Sequence, residues 1–247
     1  MRRGWWAVLV VFLSSCAQLL PRKPVTPVAT EWLVGDGVAG NGRRLVVFLP
    51  GRWSGVGEFG REGFGEMVET LVPGTDAVAV DLHLGYYRAR SVVVRLRDDV
   101  VVPARRAGYG EIWLVGTSMG GLGSLLYGLE NGGGVERFVL LAPFLGEEEI
   151  VNEIEQAGGI RAWDPGVAGE GDYQRKLWSG LRDVVSGKRG DFPQLWLGYG
   201  EGDRLARSNA LLAREVLGGR AVTVDGGHDW DAWKRLFEIY LRGVDGG

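Results

Sequence analysis

A chain of 247 residues, 45% hydrophobic and 24% charged, is long enough for one sizeable core and too short for two comfortable domains. Its net charge of -3 gives no broad attraction to a phosphate backbone, and no Lys/Arg block is long enough to act as an arm, so nucleic acid is excluded as an expected partner. The 42 glycines follow no period, which excludes a fibre or a repeat array and points to many tight turns.

At the N-terminus Arg2 and Arg3 precede the apolar run Trp5 to Leu13, which leads into Ser14, Ser15 and Cys16, the pattern of an export signal. The run is interrupted by serines and closes at Pro21, Arg22 and Lys23, short of the about 20 apolar residues that a membrane-crossing helix needs. Leu13-Ser14-Ser15-Cys16 resembles the lipobox of bacterial lipoproteins. That resemblance implies a signal peptide over residues 1–15, a cut before Cys16 and diacylglycerol on its thiol, with the membrane as a partner through this lipid. Ser15-Cys16-Ala17 also has the form of a small-x-small site cut after Ala17, which leaves plain secretion open. The expected location is the bacterial cell envelope. In a Gram-negative host it is the periplasmic face of the outer membrane, because Ala17 and Gln18 stand where an aspartate would resemble a retention signal; the alternative is a secreted or periplasmic protein. Cys16 is the only cysteine, so no disulfide framework can form within one chain. Leu19 to Pro27, with three prolines, reads as a spacer, and residues 16–30 as a tether ahead of a domain over 31–247.

Beyond the tether, short β-branched or apolar runs alternate with longer helical segments, the pattern of a mostly parallel sheet covered on both faces. In chain order the expected strands are Glu31 to Val34 at an edge, Leu45 to Leu49, Ala77 to Asp81, Ile112 to Val115, Phe138 to Ala142, Gln194 to Leu197 and Ala221 to Val224. The expected helices are Phe64 to Val72, Ser91 to Ala107, Met119 to Asn131, Ala206 to Leu217 and Asp229 to Arg242, with Pro103 bending or ending the second. Residues 146–191 break the alternation. They hold helix candidates at Glu147 to Gln156 and Asp172 to Val185 but no strand, and read either as a cap over a site or as a surface excursion.

Gly116-Thr117-Ser118-Met119-Gly120 has the form G-x-S-x-G, a weak signal by itself in so glycine-rich a chain. Its context is what counts: it follows the apolar run Ile112 to Val115 and opens the helical stretch at Met119, the strand, sharp turn and helix that lift a serine above a sheet. Gly116 and Gly120 stand two positions to either side of Ser118 because the turn has no room there for larger residues. From about Glu31 onward the chain resembles the α/β-hydrolase family. The resemblance implies an acid after a later strand and a histidine after the last one. Gln194 to Leu197 leads to Asp203, and Ala221 to Val224 leads to His228 in Gly226-Gly227-His228-Asp229-Trp230, which is similar to a segment of several bacterial esterases. The other histidine, His83, follows the Ala77 to Asp81 strand on the same sheet edge; the other nearby carboxylates are Glu201, Asp225 and Asp229. The bland roles are a loop histidine for His228 and a helix cap for Asp203.

The resemblance implies an oxyanion hole from the Met119 amide and an amide after Phe48-Leu49-Pro50-Gly51, that of Arg52 or, in reserve, Trp53. The His-Gly pair common there in lipases is replaced by Pro50-Gly51. Trp53, Phe59, Phe144, Trp163 and Trp230 are candidates for an apolar pocket, and Arg88 and Arg90 for an anionic group of the substrate or a solvated turn. The expected function is a serine hydrolase acting on a small-molecule acyl substrate, a carboxylic ester before a thioester or amide. No metal and no cofactor is implied. An acyltransferase with the same triad, and a non-catalytic lipid-anchored binding protein on this scaffold, stay open as alternatives.

Overall fold

The computed structural model describes residues 22–38, 43–131, 133–190 and 192–244. The export segment, the lipobox and Cys16 lie outside the described residues. From Arg22 on, the segment read as spacer lies against the domain. The Arg22 guanidinium grips Asp81 with two bonds of 2.9 and 2.8 Å. Tyr86 Oη accepts the Val25 N–H and donates to the Val25 carbonyl, and Asp99 accepts the Val28 N–H. A proline-rich segment cannot satisfy its own backbone, so side chains of the domain do it.

Seven strands form one sheet: β1 Thr30–Val34, β2 Arg44–Leu49, β3 Thr75–Val80, β4 Glu111–Thr117, β5 Arg137–Leu141, β6 Gln194–Gly200 and β7 Val222–Val224, in the spatial order β1-β3-β2-β4-β5-β6-β7. Every strand expected from the sequence is present. β1 lies antiparallel on β3 at the edge, and all other neighbours are parallel. Parallel strands need crossovers, and the helices that supply them cover both faces. Because successive strand residues point to opposite faces, Leu45, Val47 and Leu49 of β2 join one core while Val46 and Phe48 join the other. The second core is dominated by aromatics: Phe48 stacks on Phe59 at 4.9 Å and meets Phe237 edge-on at 5.5 Å.

The helices are α1 Glu58–Arg61, α2 Phe64–Leu71, α3 Leu84–Arg88, α4 Val92–Leu96, α5 Val102–Arg106, α6 Met119–Asn131, α7 Glu148–Gln156, α8 Tyr173–Val185, α9 Ala206–Val216 and α10 Trp230–Val244. Pro103 does not end its helix. A π-helical turn, Arg97–Val101, joins α4 to α5, and the Val102 N–H bonds the Arg97 carbonyl five residues back. The widened turn makes room for a ring that would otherwise press on the carbonyl four residues earlier. The short α1 and α3 had no counterpart in the sequence reading. In α3 the reason is tertiary: a Cβ on Gly85 would stand 2.0 Å from the Arg22 carbonyl oxygen, so a residue that weakens a helix is required where the docked N-terminal segment crosses it. Among the described residues no helix is long and apolar enough to cross a membrane.

Residues 146–191 hold α7 and α8, and their inner faces are part of the main core: Ile150, Val151 and Ile154 from one, Leu177, Trp178 and Leu181 from the other. Trp178 Nε1 also donates to the Leu145 carbonyl at 2.9 Å, which ties α8 to the strand end where the segment departs.

Candidate active site

All parallel strands end on one edge of the sheet, and the loops beyond those ends carry Gly51, His83, Ser118, Phe144, Asp203 and His228. Ser118 sits between β4 and α6 with φ +50, in the left-handed region that a side chain tolerates only under constraint. The constraint is visible. The Ser118 N–H donates to the Leu141 carbonyl at 3.0 Å, and its own carbonyl accepts the N–H groups of Gly121 at 3.0 Å and Phe144 at 2.8 Å. The turn also needs its glycines for space. A Cβ on Gly116 would lie 2.4 Å from the Gly120 carbonyl carbon, and one on Gly120 2.1 Å from the Leu49 oxygen. The motif thus brings β2, β4 and the start of α6 closer than any side chain allows.

Met119 opens α6, so its N–H lies in the first turn, where amides have no acceptor within the helix. Gly51 runs alongside: a Cβ built on it would be 3.4 Å from Ser118 Cβ. The Ser54 N–H closes a turn on the Gly51 carbonyl at 3.2 Å, leaving Arg52 and Trp53 at its two central positions, whose amides the turn bond does not use. Arg52 lines the cavity at Ser118, while the Trp53 side chain is 72% exposed and stacks beneath the Arg52 guanidinium.

His228 follows β7, and its Nδ1 lies 2.8 Å from Asp203 Oδ2. The Asp203 side chain is wholly buried, and its other oxygen accepts the Leu205 N–H at 2.7 Å. One Asp203 oxygen thus holds the turn into α9, whose own N-terminus has no side-chain cap, and the other faces the imidazole. The loops that carry the pair are locked together: the Glu201 N–H donates to the Val224 carbonyl and the Gly202 N–H to the Gly226 carbonyl, both at 2.9 Å. On its other side the His228 ring meets Trp233 edge to face at 5.1 Å. Two of the neighbouring carboxylates are engaged elsewhere. Glu201 accepts the Thr223 hydroxyl at 2.9 Å, and Asp229 caps α10 through the Ala232 N–H at 2.9 Å.

His83 is taken up by structure. It caps α3 by accepting the Gly85 N–H on Nδ1 at 3.1 Å, and its ring packs on Tyr86. Burial, and then the Arg22 charge, push its pKa below the ordinary 6.5, as an imidazole that must stay an acceptor requires.

A cavity of about 650 Å³ opens on Ser118 and Met119. Of the five aromatics expected in a pocket only Phe144 lines it. Phe59 and Trp163 are core residues, Trp230 packs edge-on against Phe59 and Phe64, and Trp53 is at the surface. The apolar wall comes instead from Leu84 and from Val92, Val93, Leu122 and Leu126, the last four of which periodicity marks only as helix residues with an inner face. Tyr87 also lines it and donates its hydroxyl to the Met119 carbonyl at 2.7 Å, holding the first residue of α6 in place. Burial raises the Tyr87 pKa, so this hydroxyl remains a donor at any ordinary pH. Arg88 and Arg90 both reach the cavity, and so do Glu147, Glu170, Tyr173 and Lys176 from residues 146–191. That segment forms one side of the cavity. Among the described residues no group of three or more His, Cys, Asp or Glu side chains could hold a metal ion.

No family model matches the sequence, and no curated protein matches it. Solved structures do match in shape. An S-formylglutathione hydrolase of Staphylococcus aureus aligns at 13% identity over 90% of this chain and 97% of its own, with a TM-score of 0.58. A fluorophosphonate-binding serine hydrolase of the same organism aligns at 14% identity over 90% and 95%, also with a TM-score of 0.58. A ferulic acid esterase aligns at 16% identity over 88% and 96%, with a TM-score of 0.56. The chain has the α/β-hydrolase fold.

Proposed function

We propose that the chain is a serine hydrolase that cleaves a carboxylic ester, or a related acyl bond, through an acyl-enzyme on Ser118. The observation that carries this reading is the 2.8 Å contact of His228 Nδ1 with a buried Asp203, on the sheet edge where a positive-φ turn presents Ser118 to a cavity. In the proposed reaction His228 Nε2 takes the Ser118 hydroxyl proton as Oγ bonds to the substrate carbonyl carbon. The carbonyl oxygen becomes an oxyanion facing the Met119 and Arg52 amides. Asp203 stays ionised and accepts a hydrogen bond from Nδ1–H, which fixes the tautomer and stabilises the imidazolium. The alcohol then leaves with the proton from His228. Water gives a proton to Nε2, attacks the acyl carbon, and the acid departs as Oγ recovers its proton.

A fluorophosphonate probe tests this directly, since it reacts with a serine that a neighbouring base activates. The expected outcome is rapid stoichiometric labelling at Ser118, abolished by His228→Ala. A folded protein that stays unlabelled would remove Ser118 as a nucleophile.

For the N-terminus we propose that Cys16 becomes the lipidated first residue of the mature chain, holding the domain at a membrane outside the cytoplasm. Several acyl tails, at about 0.8 kcal/mol per buried CH₂, make such an anchor effectively permanent. Cells fed a palmitate analogue should label the wild type and not Cys16→Ser. An exported, shortened and unlabelled wild type would mean plain secretion.

A further inference from the structure

The cavity at Ser118 is charged in a way that the chain as a whole is not. Five cationic side chains line it, Arg52, Arg88, Arg90, Lys176 and Arg204, against three carboxylates, Glu130, Glu147 and Glu170, an excess of two positive charges on a protein whose net charge is -3. One of the carboxylates is spent: Glu170 Oε1 lies 2.8 Å from Arg90 Nη1. Arg52, Arg88 and Arg204 make no ion pair among the described residues, and Arg52 has only the face of Trp53 beneath its guanidinium. The cations come from four separate places in the chain: the loop after β2, the region around α3, the side of α8 and the loop that carries Asp203. A solvated surface gains nothing by gathering unpaired guanidiniums around one opening, since like charges repel there. The wall beneath is apolar, from Leu84, Val92, Val93, Leu122 and Leu126.

We propose that this cavity takes acyl compounds that carry an oxyanion, a carboxylate or a phosphate-like group, several atoms from the scissile carbonyl. The apolar wall takes the chain of the substrate, and the unpaired guanidiniums take its charged end by charge-assisted hydrogen bonds. The inference rests on the hydrolase reading above and adds to it the class of substrate.

The test compares p-nitrophenyl esters of valeric, glutaric and 4-phosphonobutyric acid, acyl chains of similar length ending in a methyl, a carboxylate and a phosphonate. At low ionic strength kcat/KM is expected to be at least about 10-fold higher for a charged ester than for the valerate, mostly through KM, and to lose that advantage in high salt. The glutarate and phosphonobutyrate arms tell which oxyanion the cavity prefers. The double variant Arg88→Glu/Arg204→Glu should bring the charged-to-neutral ratio down to about one, with Arg88→Gln as the milder replacement if the charge reversal does not fold. A wild-type ratio at or below one, or a ratio that neither variant moves, overturns the proposal. Binding of the same esters to Ser118→Ala separates this inference from the one beneath it. Tighter binding of a charged ester without turnover in the wild type would sink the hydrolase reading and keep the anion subsite; turnover without charge preference would do the reverse.

Discussion

Ser118→Ala is expected to lower ester turnover by roughly 10⁴-fold or more while leaving the fold intact, because the members of a triad act as a unit and losing one forfeits nearly all their joint effect. The fold should survive because the bonds that hold the turn belong to the backbone: Ser118 N–H to Leu141, and Ser118 C=O to Gly121 and Phe144. Alanine keeps all three and adds no atom where Gly51 runs close by. His228→Ala should lose a comparable amount, and the double variant little more than either. The measurement is kcat on an activated ester, with circular dichroism to confirm the fold. A Ser118→Ala protein with kcat within about tenfold of the wild type would remove the acyl-enzyme from the mechanism.

Asp203→Asn is expected to cost up to about 10⁴-fold in kcat, and the structure says which way the amide would turn. Oδ1 of Asp203 accepts the Leu205 N–H at 2.7 Å, a bond that only the oxygen of an asparagine can keep. The amide nitrogen would then face His228 Nδ1 and donate to it, so the imidazole proton would move to Nε2, the atom that takes the Ser118 proton in the proposed reaction. The base is disabled without being displaced. Glu201→Gln should change little, since Glu201 is exposed and accepts only the Thr223 hydroxyl. Steady-state kinetics on both folded variants decide it; a large loss in Glu201→Gln with a small one in Asp203→Asn would move the orienting role to Glu201.

The sequence by itself determined the sheet and the elbow. Buried parallel strands must be continuous apolar runs, so β2 to β6 announce themselves, and Met119–Asn131 begins and ends where its residues imply. The G-x-S-x-G turn is legible for a similar reason: stretches of backbone pass too close for side chains at Gly116 and Gly120, and only glycine meets that demand. What the sequence left open are choices among residues of one kind. Four carboxylates stand near the ends of β6 and β7, and the burial of Asp203 against His228, with Glu201 and Asp229 bonded elsewhere, comes from the way two loops lock together through Val224 and Gly226. The aromatic reading failed for Phe59, Trp163 and Trp230 because a large apolar side chain suits a core as well as a pocket, and only packing decides between them. Gly85 in α3 and the π-helical turn before Pro103 violate local helix rules for the sake of a distant segment and of a ring that must be housed. The collection of Arg52, Arg88, Lys176 and Arg204 around one opening is likewise tertiary. Residues more than a hundred positions apart meet there because parallel strands end on one edge, and a charge reads as surface in sequence until its neighbours are known.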